Sequence, residues 1–186
     1  MAYSIIQPPF TLKFREMPKA ELKSYFEWFM TVMPERLVEL NAAVREAVPT
    51  WAGDFSPESL DVLGKWFEGQ VETRPKTQDE IDGLKAKLTF PIDVSGEQLT
   101  NRTFSLAMDI GMYFSQVVIN NLEGTKWNQP LKNEKFADYG QPVIMGFGTV
   151  PLNPVRIVVM AAYGVAKGKK VQLRELYGTW AKMKKP

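Results

Sequence analysis

A chain with neither histidine nor cysteine has a short menu of chemistry. The commonest general base and the commonest metal ligand are missing. So are disulfides, thiolate nucleophiles and sulfur-ligated metals. Acid–base work is left to carboxylates, phenols and amines. Such groups recur at a regular spacing in Phe104–Leu122, where Ser105, Asp109, Gln116 and Asn120 fall on one narrow stripe at about 3.6 residues per turn. Tyr113 stands beside that stripe. Asp109, Tyr113 and Gln116 in a cleft would be the machinery of an enzyme that uses carboxylate, Tyr or Lys chemistry. The plainer reading is a stripe facing solvent or a helix end. A third is a half-buried hydrogen-bonding strip with Asp109 and Tyr113 at its centre, since buried polar groups must be satisfied.

The element that must carry these residues is a helix. Leu106, Met108, Ile110, Phe114, Val117, Val118, Ile119 and Leu122 make it apolar over most of its circumference, which predicts burial by neighbours on several sides. Asp109 and Gln116 interrupt it too early for a membrane span, which needs roughly 20 apolar residues. Ala107, Gly111 and Ser115 recur every fourth position, so a second helix can approach closely there. Thr100 or Asn101 serves as the cap and Gly124 as the stop.

The rest of the chain supplies the packing partners. Residues 9–14 read as an edge strand or an extended arm. Residues 19–33 and 34–47 form two helices or one helix kinked at Pro34, with an aromatic face through Tyr25, Trp28 and Phe29 that reads as core. Ser56-Pro57-Glu58 opens a helix to about Val71, and Thr77 with Glu80 makes a capping box for a short helix through Leu88. Glu72–Lys76 reads as a polar break and residues 89–99 as a connection. Lys126–Asn128 and Pro142–Phe147 form a hairpin, and Asn153-Pro154 starts a helix. Leu173, Leu176, Tyr177 and Trp180 mark a final amphipathic helix. The 186 residues predict one α+β, mainly helical domain: helices around one central buried helix with a small antiparallel β-hairpin. Residues 19–99 form its N-terminal helical part; residues 100–186 hold the central helix, the hairpin and the C-terminal helices.

Charge is unevenly spread. Residues 167–186 hold seven basic residues against Glu175, a surplus of six; with a net charge of +2 overall, residues 1–166 are left at −4. A basic terminus can bind nucleic acid, but an acidic body repels phosphate and lysines suit a helix C-terminus, so nucleic acid is not the expected partner. Gly164–Lys170 has the glycine and lysine content of a phosphate loop. It fails on three residues between the glycines, on Lys where a metal-binding Ser or Thr belongs, and on following a helix. Asp79, Glu80 and Asp82 sit where a helix favours acids anyway. The separation of carboxylates in space is not given by sequence, so a glycosidase-type pair stays open. No metal, cofactor, signal peptide or membrane partner is expected, and the location expected is the cytoplasm.

The run Asp109-Ile110-Gly111-x-Tyr113-Phe114, then Trp127, then Gln141-Pro142-Val143-Ile144-x-Gly146-Phe147 and Leu152-Asn153-Pro154, resembles small uncharacterised bacterial proteins. Some of these look like immunity proteins of contact-dependent or polymorphic toxin systems. The likeness covers about residues 104–160, with Tyr177 and Trp180 also similar. Ser115-Gln116 departs from the Gly-Glu expected after the aromatic pair. The resemblance implies a non-enzymatic protein-binding module that neutralises a cognate toxin, with no catalytic residues to carry over. The loop from Lys126 to Tyr139 then becomes the expected interface. It sets Trp127, Phe136 and Tyr139 among Lys132 and Lys135, the composition of binding hot spots. Alternatively, Trp127 and Phe136 merely cover the end of the central helix.

Overall fold

The structure is a computed structural model that describes residues 3–89 and 94–184. It is mainly helical α+β, with helices α1 (Lys19–Ala47), α2 (Ser59–Glu68), α3 (Gln78–Lys85), α4 (Asn101–Asn121), α5 (Pro154–Val165) and α6 (Leu173–Met183). Two antiparallel strand pairs complete it: β1 (Thr73–Pro75) with β2 (Glu97–Leu99), and β3 (Lys126–Asn128) with β4 (Val143–Met145). Among the described residues no helix is long and apolar enough to cross a membrane.

The central helix is α4. Thr100 caps it, its hydroxyl accepting from the Thr103 amide at 3.2 Å. Thirteen consecutive residues, Thr103 and Ser105 among its polar members, are nearly all buried, and Leu106, Ile110, Phe114 and Val117 are inaccessible. Each such side chain stabilises the fold by about 1.5–3 kcal/mol relative to exposure. Helix α5 crosses at Gly111, where an added Cβ would stand 2.8 Å from the Val155 Cα and 2.9 Å from its nitrogen. The small-residue spacing thus marks a close helix crossing.

Helix α1 runs unbroken through Pro34 and lays Leu22, Tyr25, Phe29, Met33, Arg36, Leu40 and Val44 against the interior. Pro34 is exposed, so the position that lacks an amide donor lies on the solvent side of the helix. Residues 3–17 form no strand. They are an arm laid across α1 and α4, with Phe10 and Phe14 edge-on to Tyr25 at 5.4 and 5.1 Å between ring centroids. Helix α2 stops at Glu68, short of Val71, and Glu72–Lys76 is no mere break: three of its residues form β1, paired with β2 in the stretch read as a connection. The expectations for residues 90–93 lie outside the described residues.

Candidate functional site

The polar stripe of α4 does not face solvent at its first two positions. Asp109 is fully buried, and the arm covers it. Arg36 donates to it through a two-pronged fork, Nε to Oδ1 at 2.9 Å and Nη2 to Oδ2 at 2.7 Å. The Tyr3 hydroxyl donates to Oδ2 as well. Arg36 Nη2 also donates to the Tyr3 oxygen at 2.9 Å and to the Ser4 carbonyl at 2.8 Å. Ser105 completes the knot, 2.7 Å from the Tyr3 hydroxyl and accepting from the Ile6 amide at 2.8 Å. Burial pushes the Asp109 carboxyl above its usual range, against the pull of the Arg36 and Tyr3 hydrogen bonds. Burial, and then the Asp109 charge, push the Tyr3 phenol up.

Tyr113 belongs to a different neighbourhood. Its hydroxyl lies 2.7 Å from the Ser59 hydroxyl and accepts from the Phe55 amide at 3.1 Å, with its ring against Trp51 and Phe55. Gln116 is half-buried and donates to the Met33 sulfur at 3.3 Å, and Asn120 is exposed. Asp109, Tyr113 and Gln116 therefore do not converge on a common cleft. Asp109 and Gln116 tie α4 to α1, with the arm joined at Asp109, and Tyr113 ties it to the start of α2.

The hairpin loop is built differently, as a braced turn with an exposed rim. Trp127, opposite Ile144 in the ladder, sets its ring edge-on to Phe29 at 5.7 Å and is half-buried. The Gln129 amide donates to the Leu22 carbonyl at 2.6 Å and the Gly140 carbonyl at 2.8 Å, tying both ends of the loop to α1. Gly140 must be glycine: its φ is +75°, and a Cβ would meet the Leu22 side chain at 2.6 Å. Asn133 closes the turn, its side chain accepting from the Lys135 amide at 3.0 Å and its carbonyl from the Phe136 amide at 3.0 Å.

Asp138 lies buried beneath the loop, bonded to Arg156 and to the Asn153 amide at 2.9 Å each. Asn153 also donates to Gln141 at 2.8 Å and caps α5 by accepting from the Arg156 amide at 3.0 Å. Gln141 and Asn153 thus fasten the hairpin loop to the start of α5.

Lys132 and Lys135 are exposed on this turn, Phe136 is half-buried, and Tyr139 is buried with Leu22, Phe29 and Met112 in a core cluster. Tyr139 is therefore core and offers no ring to a partner: a large aromatic next to the braced Gly140 is drawn into the space beside α1. Beside the turn lies a groove of about 450 Å³, lined by Leu131, Lys132, Phe136, Val143 and Met145 among others. Val143 and Met145 belong to the expected hairpin strand but are not among the expected site residues, although their alternate positions on β4 put them on one face. Among the described residues no cluster of three or more acidic side chains is placed to hold a metal ion. Compared with known proteins, the chain matches no family model, no curated protein and no solved structure.

Proposed function

We propose that this chain is a protein-binding module of the immunity type, which acts in the cytoplasm by covering a cognate bacterial toxin, and that the hairpin loop is its covering face. The observation that carries the reading is the rigid, lysine-bearing turn beside an apolar groove of about 450 Å³. A loop already fixed by Gln129, Asn133 and Asp138 has little conformational freedom to lose on association, which lowers the cost of binding. Its exposed cations steer an acidic partner face, and the Phe136 edge with Leu131 and Met145 supplies an apolar anchor point. The enzymatic alternative is disfavoured by the same geometry, because Asp109 is walled off from solvent and spent on Arg36 and Tyr3.

Sequencing the genes beside its own, and co-expressing the chain with the product of any toxin-type gene found there, tests this. The wild-type chain is expected to rescue growth. The double variant Lys132→Glu/Lys135→Glu is expected to keep its circular dichroism spectrum, to lose rescue, and to pull down the toxin at least about tenfold less well. Rescue by the folded double variant would remove the loop from the interface. Failure of the wild-type chain to bind any product of the neighbouring gene would remove the immunity reading itself.

A further inference from the structure

The glycine- and lysine-rich run at Gly164–Lys170 is the C-terminal turn of α5. The Lys169 amide donates to the Gly164 carbonyl at 3.0 Å and the Gly168 amide to the Val165 carbonyl at 2.8 Å, with Gly168 in the left-handed region at φ +79°. This closure satisfies the last helical carbonyls and reverses the chain. The reversal sets Lys169 and Lys170 on the rim of a groove of about 520 Å³ between α5 and α6. The groove floor is apolar, formed by Ile157, Met160, Ala161 and Leu176. Met160 is 63% exposed.

A third cation, Arg156, shares this rim. It is held by buried Asp138 at 2.9 Å yet stays 48% exposed, so its position is fixed and its outer face is open. Neither Lys169 nor Lys170 forms an ion pair among the described residues. The acids nearby are otherwise engaged: Glu68 accepts from the Val171 amide at 2.6 Å, and Glu175 from Gln172 at 2.7 Å. The α5 dipole favours cations at its last turn. That accounts for the lysines and leaves the open apolar floor unexplained.

We propose that this groove docks an acidic amphipathic helix of a protein partner. Apolar side chains at helical spacing would cover Met160 and Leu176, and carboxylates on the flanks would meet Lys169, Lys170 and Arg156. Duplex nucleic acid would satisfy the cations but bring phosphates and sugars, not apolar surface, to the floor. The groove shares no lining residue with the hairpin groove, so this inference does not rest on the toxin-covering reading.

The test uses a synthetic helical peptide of about four turns, with leucines along one face and glutamates on the others, read by fluorescence anisotropy against the full chain at about 0.15 M salt. Saturable binding is expected. Lys169→Glu/Lys170→Glu and, separately, Met160→Glu are each expected to weaken it at least about tenfold with unchanged circular dichroism; Met160→Ser serves in place of any variant that misfolds. The same peptide with lysines for glutamates is expected not to bind. Absence of binding by the glutamate peptide overturns the proposal. So does binding that ignores the Met160 variants, or equal binding of a DNA duplex, either of which would reduce the groove to a charged patch. Sedimentation of the chain alone covers the remaining occupant: a dimer abolished by Met160→Glu would show that a second copy fills the groove, and would also overturn it.

Discussion

Replacing Asp109 with leucine would strand the Arg36 guanidinium in the interior with its counter-ion gone. A buried pair broken on one side typically costs about 3–5 kcal/mol, whereas replacing both members with apolar groups is often close to neutral. We therefore expect Asp109→Leu to lower the unfolding free energy by about that amount, and Arg36→Met/Asp109→Leu to recover most of it. Urea denaturation of the three variants, with Arg36→Met as the third, checks this; simple addition of the two single losses would show that the side chains are not coupled. This pair was half legible in the sequence. Asp109 stood out as a charge on an apolar helix. Arg36 did not, although it occupies a place in the inward stripe Leu22, Tyr25, Phe29, Met33, Arg36, Leu40, Val44, where a cation must find a partner. Tyr3 left no signal, because the arm has no periodicity to place it. Tyr139 misled for a related reason: an aromatic among charges in a loop looks the same in sequence whether it turns outward or into the core.

At the scale of elements, the crossing of α4 and α5 at Gly111 sets the sharpest limit. An added side chain meets the Val155 backbone, which has no rotamer to yield. Gly111→Leu is expected to destabilise by about 1–3 kcal/mol or more, seen as a lowered Tm; an unchanged melting curve would mean that the crossing is loose. Helix α3 illustrates the opposite limit. None of its residues is buried, so it depends on its cap: Thr77 and Glu80 bond reciprocally, and Arg74 holds Glu80 at 2.6 Å. The Arg74 hydrogen bonds, with that from the Thr77 amide, lower the Glu80 carboxyl from 4.5 to about 2.

A depressed carboxylate pKa stabilises the helix fully above the unfolded value and loses that contribution as pH falls through the folded one. Amide shifts of Thr77 and Glu80 are therefore expected to titrate with a midpoint near pH 2, not near 4.5. A midpoint at the ordinary value would show the cap to be open in solution. The capping box, the hairpin and the central helix were readable because each has a local chemical signature. The β1–β2 pair was not, since three-residue strands carrying Pro75, Arg74 and Glu97 show no alternation, and their pairing depends on a contact across more than twenty residues.

For the whole molecule, charge is the property most open to misreading. The surplus of six near the C-terminus is an arithmetic fact of the sequence, but the fold consumes part of it. Arg174 is taken by Asp61 at 2.7 Å and Glu58 at 2.8 Å, and Lys184 donates to the Glu123 carbonyl. With fewer free cations facing an acidic body, duplex DNA is expected not to bind measurably at about 0.15 M salt. A micromolar complex that weakens steeply with salt and vanishes on removing residues 181–186 would overturn this.

The knot of Tyr3, Arg36 and Asp109 also orders events during synthesis. Arg36 precedes its carboxylate by 73 residues and Tyr3 by 106. At ~5–20 residues per second, α1 emerges roughly 4 to 15 seconds before the group that neutralises it. Until then its inward face carries an unpaired cation that cannot be sealed from water, and the arm has nothing to fasten to. The nascent first half must therefore wait, partly open, for α4 to arrive. A ribosome stalled before residue 109 would display a chain that proteases still cut in the arm and α1, and one stalled well beyond it would not.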